Sequence, residues 1–129
     1  MRVLLDTNVL ITLVDGRISV LDEAMQEVVT AADSVAYVSV ASLWEIAIKV
    51  RLRKLTLSVS PKLLPELVER MGLNLVAINH NHVLTVAAPE PATRDPFDRL
   101  LLAQCLIEDL RLVTVDRVLS KHPLAWRAA

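Results

Sequence analysis

The chain of 129 residues has a single cysteine, two glycines and four aromatic side chains, and its 14 basic and 15 acidic residues leave a formal charge of -1. A lone cysteine, Cys105 within LLLAQCLIEDL, excludes an intrachain disulfide framework and a cysteine-based metal site. No histidine adjoins it in sequence, so a buried structural thiol is expected rather than a nucleophile. The near-neutral charge supplies no global field for a polyanion, so any phosphate-binding surface must be local. Tyr37, Trp44 and Phe97 are expected to be buried or interfacial, which leaves little for base stacking. No repeat or low-complexity segment is present. The longest uncharged stretch, Met71 to Pro89, carries Asn74, Asn79, His80, Asn81 and His82, and a lipid-facing helix would not hold these cheaply. Asp6 and Asn8 break the first apolar run and no small-residue cleavage site follows it, so a cytoplasmic, non-membrane protein is expected.

Apolar residues are plentiful at 53% of the chain. One domain spanning residues 1–129 has enough material for a core without covalent staples. The excess suggests that some apolar surface is covered by a partner or a second copy. Short apolar runs at Arg2 to Leu5, Val35 to Val38, Leu75 to Ile78 and Leu112 to Val115 read as strands. Helices are expected over Val9 to Val14, Ser19 to Ala32, Ser39 to Arg51, from Ser60-Pro61 to Met71, His82 to Ala88 and Phe97 to Leu110. The third of these carries Leu43, Ile46, Ala47 and Val50 as one stripe and Trp44 and Ile48 outside it, so it is expected to be covered on both sides. Alternation of strands and helices predicts an α/β fold with a central, mostly parallel sheet, whose ligand site lies at the carboxyl ends of the strands.

Four carboxylates stand at the edges of apolar runs: Asp6 in VLLDTN, Glu45 in SLWEIA, Asp98 in DPFDRLLLA and Asp116 in LVTVDR. Each has a structural explanation of its own. Asp6 could cap a turn; Glu45 has capping-box spacing from Ser42 and helix ion-pair spacing to Lys49. Asp98 lies in the first turn after an Asp95 cap, and Asp116 could cap Arg117 to Ser120. Four on separate elements could also converge at one sheet edge, where their repulsion would call for a divalent cation.

In order along the chain, LLDTNVLI, VSVASLWEIAIKVRLRKL, RDPFDRLLLAQC and LVTVD resemble the four motif blocks of the PIN-domain ribonucleases, specifically the VapC-type toxins of toxin–antitoxin modules. The resemblance covers nearly the whole chain. It implies a three-layer α/β/α PIN-like fold and an endoribonuclease that hydrolyses RNA phosphodiester bonds with Mg²⁺ or Mn²⁺. The implied catalytic set is Asp6, Glu45, Asp98 and Asp116, with Asp6, Asp98 and Asp116 as metal ligands and Asn8 and Thr114 as supporting groups. Arg94 and Arg99 are the candidate RNA contacts, although Arg99 could equally pair with an acidic neighbour. The implied partners are RNA, a VapB-type antitoxin and a second copy in a homodimer or higher oligomer. Arg53 and Asp109 depart from the pattern, standing in turns where this subgroup often has glycine.

Oxygen-only ligands suit Mg²⁺ or Mn²⁺, and His80, His82 and His122 are not spaced for zinc. LLDTNV also looks superficially like the nucleophile motif of haloacid-dehalogenase-type phosphatases, but that chemistry needs a second aspartate where Asn8 stands. The non-enzymatic alternative is a catalytically silent PIN-like module that binds RNA or a partner.

Overall fold

The computed structural model describes residues 1–128. Its elements run β1 (Arg2–Leu5), α1 (Thr7–Val14), α2 (Glu23–Thr30), β2 (Val35–Ser39), α3 (Val40–Arg51), α4 (Leu64–Arg70), β3 (Asn74–Val76), α5 (His80–Leu84), α6 (Pro96–Glu108) and β4 (Arg111–Val113). Short 3-10 turns occupy Ile18–Val20, Pro61–Leu63 and Leu119–Lys121. The strands form one sheet in the order β3-β2-β1-β4, and every pairing is parallel.

Alternation along the strands sorts side chains into two cores. Val3 and Leu5 of β1, Ala36 and Val38 of β2 and Val113 of β4 face Val9, Leu10, Val28, Ile46, Leu64 and Val68 from α1 to α4. Leu4, Tyr37 and Leu112 face the opposite side, against Leu101, Leu102 and Cys105 of α6. Helices therefore cover both faces, as buried parallel strands need, and the architecture is a three-layer α/β/α sandwich. Burial also pushes the Cys105 thiol up, so it stays neutral, as the sequence suggests.

Several boundaries differ from the expected ones, each for a local reason. The helix expected over Ser19 to Ala32 is divided, because Asp22 caps α2 by accepting from Met25 N at 2.8 Å. The expected helix at His82 to Ala88 instead occupies His80–Leu84, started by a capping box between Asn79 and His82. The His82 ring accepts from Asn79 N at Nδ1, so its Nε2–H donates to Glu108 at 2.9 Å and ties α5 to α6. β4 ends at Val113, leaving Thr114 and Val115 outside the ladder. Among the described residues no helix is long and apolar enough to cross a membrane.

Arg53 and Asp109, the two departures from glycine, both adopt left-handed backbone, with φ of 58° and 55°. They follow the ends of α3 and α6, where glycine relieves the clash of Cβ with the neighbouring carbonyl. Arg53→Gly is expected to raise stability by about 1 kcal/mol in urea unfolding, and Asp109→Gly by less, because aspartate tolerates this region better. A loss of stability in both variants would refute the strain.

Candidate functional site

Asp6 is the first residue beyond β1. Its backbone N–H continues the sheet by donating to Val113 O at 2.9 Å, and its side chain caps α1. The carboxylate is buried, and both oxygens are held: Oδ1 accepts from Thr7 N and Oδ2 from Thr114 Oγ1, each at 2.7 Å. Burial raises its pKa, the two hydrogen bonds oppose that rise, and the charges of Glu45 and Asp116 add to it. Thr114, the first residue past β4, thus contacts the Asp6 carboxylate.

Glu45 enters from α3 and is also buried. Ser39, rather than Ser42, caps this helix, accepting from Ala41 N at 3.0 Å. Ser42 instead accepts from Thr7 Oγ1 at 2.9 Å, which fastens α1 to α3 between Asp6 and Glu45. One Glu45 oxygen, Oε2, meets Lys49 Nζ at 2.6 Å. Trp44, expected to be buried or interfacial, is 61% exposed in the single chain, with its ring edge-on to Phe97 of α6 at 5.5 Å between centroids. The neighbours of these two aromatics in sequence are Glu45 and Asp98, so the ring pair links the two helices that carry site acids.

Asp98 lies in the first turn of α6, whose cap is Asp95, accepting from Phe97 N at 2.8 Å. Its Oδ2 accepts from Thr93 Oγ1 at 3.3 Å, and the same hydroxyl receives Asp95 N. Burial, then the charges of Asp95, Asp6 and Glu45, push the Asp98 carboxyl up to about 7, with the Thr93 hydrogen bond opposing. The helix N-terminus does not overcome this crowding.

Asp116 stands apart. It is exposed, three residues beyond β4 rather than directly after it, because Thr114 and Val115 are not strand. Its Oδ1 caps the following turn through Val118 N at 2.8 Å and Leu119 N at 3.0 Å. Thr114 Oγ1 accepts from Asp116 N at 3.0 Å, so one threonine positions both Asp6 and Asp116.

The remaining candidates are less engaged. Asn8 is exposed, and among the described residues its side chain makes no hydrogen bond to a carboxylate. Arg94 is exposed on the loop before α6. Arg99 donates to Thr93 O at 2.7 Å and Pro91 O at 3.0 Å and approaches Glu90 at 3.5 Å, which matches its alternative acidic-neighbour reading. Thr93 and Ser42 were not anticipated as site groups; the Thr93-x-Asp95 spacing, a hydroxyl two residues before a cap, was the available signal.

Among the described residues no three acidic, histidine or cysteine side chains stand close enough to chelate one ion outright. The cleft of about 310 Å³ bordered by Val83, Val86, Arg99 and Leu100 includes none of the four acids. Asp6, Glu45 and Asp98 are instead within one another's electrostatic reach, with Asp116 acting on Asp6. A fully parallel sheet between two helical layers, with Asp6 directly past β1 and Glu45 and Asp98 brought near it by α3 and α6, defines an α/β protein with an acidic candidate site at the sheet's carboxyl edge. The chain belongs to the PIN domain family, which matches residues 3–123. Members of that family are generally metal-dependent nucleases that act on nucleic acids. No curated protein matches the chain.

The raised Asp98 pKa has a signed consequence for stability. The folded protein holds this proton more tightly than the unfolded chain, so the contribution is full below the ordinary aspartate range and is lost as pH rises to about 7. In metal-free protein, Asp98→Asn is expected to flatten that decline and to stabilise at pH about 8. The gain should be on the order of 1–2 kcal/mol once solvent screening of a half-buried group is included. Urea titrations across the pH range test this, and an unchanged profile in Asp98→Asn would contradict it.

Proposed function

We propose that the chain is a single PIN domain over residues 1–129 acting as a Mg²⁺- or Mn²⁺-dependent endoribonuclease, the VapC-type toxin of a toxin–antitoxin pair. The observation that carries the nuclease reading is that Asp6, Glu45 and Asp98 stand within one another's electrostatic reach; burial first, and then the charges of Asp95, Asp6 and Glu45, lift the Asp98 carboxyl to about 7. Groups so crowded are stabilised when a cation joins them.

The donor chemistry suits such an ion. All four side chains offer oxygen, and among the described residues Glu45 Oε1, Asp98 Oδ1 and Asp116 Oδ2 meet no protein donor. Mg²⁺ binds through one or two carboxylates with water and substrate phosphate completing its shell, so a preformed three-carboxylate cage is unnecessary. Asp6 and Asp98 would be the principal ligands, Asp116 a direct or water-mediated one, and Glu45 a ligand or water-orienting base. When bound, the ion supplies charge stabilisation to the phosphodiester and acidifies an attacking water. Thr114 holds Asp6 in orientation, and Thr93 does the same for Asp98. Asn8, exposed at the start of α1, is placed to meet solvent or RNA.

The toxin reading rests on the four motif blocks. A homodimer and a covering VapB-type antitoxin peptide are supported by apolar side chains left open, among them Trp44, Leu84 at 81% and Val86 at 61% exposure. RNA contacts from Arg94, and from Arg99 where its loop bonds allow, belong to the same proposal, as does a cytoplasmic location. A binding-only PIN module is the competing reading, favoured by the lack, among the described residues, of three acidic, histidine or cysteine side chains close enough to chelate one ion outright.

Purified protein incubated with total RNA and Mg²⁺ or Mn²⁺ is expected to yield discrete fragments, abolished by EDTA. Thr114→Val should lower activity about 10–100-fold, as loss of a partner behind a ligand does, and Asp6→Asn or Asp98→Asn by more. Cleavage that persists in the aspartate variants would expose a contaminant; no cleavage of any RNA would favour the binding-only module. Light scattering on the protein alone should give at least twice the monomer mass, and a strict monomer would remove the homodimer from the proposal.

A further inference from the structure

Lys49 has no part in the scheme above, yet its ammonium is paired with one of the four acids, Glu45. Glu45 and Lys49 lie one turn apart on α3, with Nζ 2.6 Å from Oε2. Most such pairs on helices join two solvated partners and contribute little. In this one the acid side chain is 7% exposed and the lysine 43%, so a flexible cation has turned towards a buried charge. The ammonium also lies in the field of Asp95 and Asp98, while Glu45 acts on both Asp6 and Asp98. Among the described residues Asp6, Asp98 and Asp116 form no ion pair of their own. Lys49 is therefore the basic group paired directly with the cluster.

We propose that Lys49 is the built-in counter-cation of the metal-free site, and that it releases Glu45 when a divalent ion is bound. The inference rests on the metal-dependent reading. Ammonium and metal ion are attracted by the same negative potential, and the gain from one is reduced by the presence of the other. Lys49 keeps the cluster neutral enough to fold without metal, and it raises the ion concentration at which the site fills. Arg51, two residues further along α3, is exposed and forms no ion pair among the described residues, so it provides a control with the same charge and helix.

The test measures Mn²⁺ binding by the loss of the free-ion paramagnetic resonance signal, at fixed ionic strength, in wild type, Lys49→Gln, Arg51→Gln and Asp98→Asn. Lys49→Gln is expected to bind Mn²⁺ roughly five- to tenfold more tightly than wild type, with Arg51→Gln within about twofold. The rise in melting temperature on adding Mn²⁺ should be larger in Lys49→Gln. Unchanged or weaker binding in Lys49→Gln, or an equal gain in Arg51→Gln, overturns the proposal while leaving the metal site standing. Wild type that binds no Mn²⁺ at millimolar concentration, indistinguishable from Asp98→Asn, overturns both readings. Should Lys49→Gln fail to fold, nitrogen relaxation of the Lys49 ammonium in wild type decides the matter: Mg²⁺ should make it more mobile, and an ammonium that stays ordered at saturating Mg²⁺ refutes displacement.

Discussion

The Asp6 carboxylate, buried at the carboxyl end of β1, sets the conditions for everything around it. A negative charge in that place is costly unless hydrogen bonds reach it, and the fold brings two, from the first N–H of α1 and from the Thr114 hydroxyl beyond β4. Two elements more than a hundred residues apart in sequence are thereby held at one point. The parallel pairing of β1 with β4 makes this possible, because both strands end at the same edge and their following residues face each other. Glu45 and Asp98 then approach from α3 and α6, and the electrostatic crowding that results is a property of the topology rather than of any one residue.

The balance is maintained by small polar groups. Thr7 joins Ser42, Thr114 serves Asp6 and Asp116 together, and Thr93 serves Asp95 and Asp98. Thr114 and Thr93 each donate to a carboxylate and accept from a backbone N–H, which a hydroxyl can do without adding charge. In a site already rich in negative charge, neutral bridges fix geometry without the ion pairs that would compete with a metal. Lys49 is the exception.

The alternation of strands and helices, and the place of Asp6 directly after β1, was legible because both follow from periodicity and from the parallel sheet; Asp116, expected directly after the last strand, lies three residues beyond it. The details depended on choices that periodicity does not encode. Ser39 and Ser42 are both plausible caps, and only the packing of α1 against α3 decides that Ser42 faces Thr7. Asp22 divides a segment whose apolar spacing continues through it, because local capping prevails over pattern. Thr114 and Val115 have strand-like composition, yet the ladder ends before them, and the Thr114 hydroxyl is bonded to Asp6. Trp44 was expected to be covered, which follows from composition only if a neighbour exists; in the single chain it is open. The roles of Arg94 and Asn8 were inferred from resemblance, and their exposure leaves them available without assigning them partners.

The loop before α6 is held from its own helix, by Arg99 through Thr93 O and Pro91 O, and from the chain's last segment, by His122 Nε2 donating to Pro89 O at 2.8 Å. Arg99 is the residue directly after Asp98. The side chain that holds the loop and the carboxylate of the candidate site therefore leave the same turn of α6. The loop carbonyls of Pro91 and Thr93 and the Asp98 carboxylate are thereby held through neighbouring residues of one helical turn.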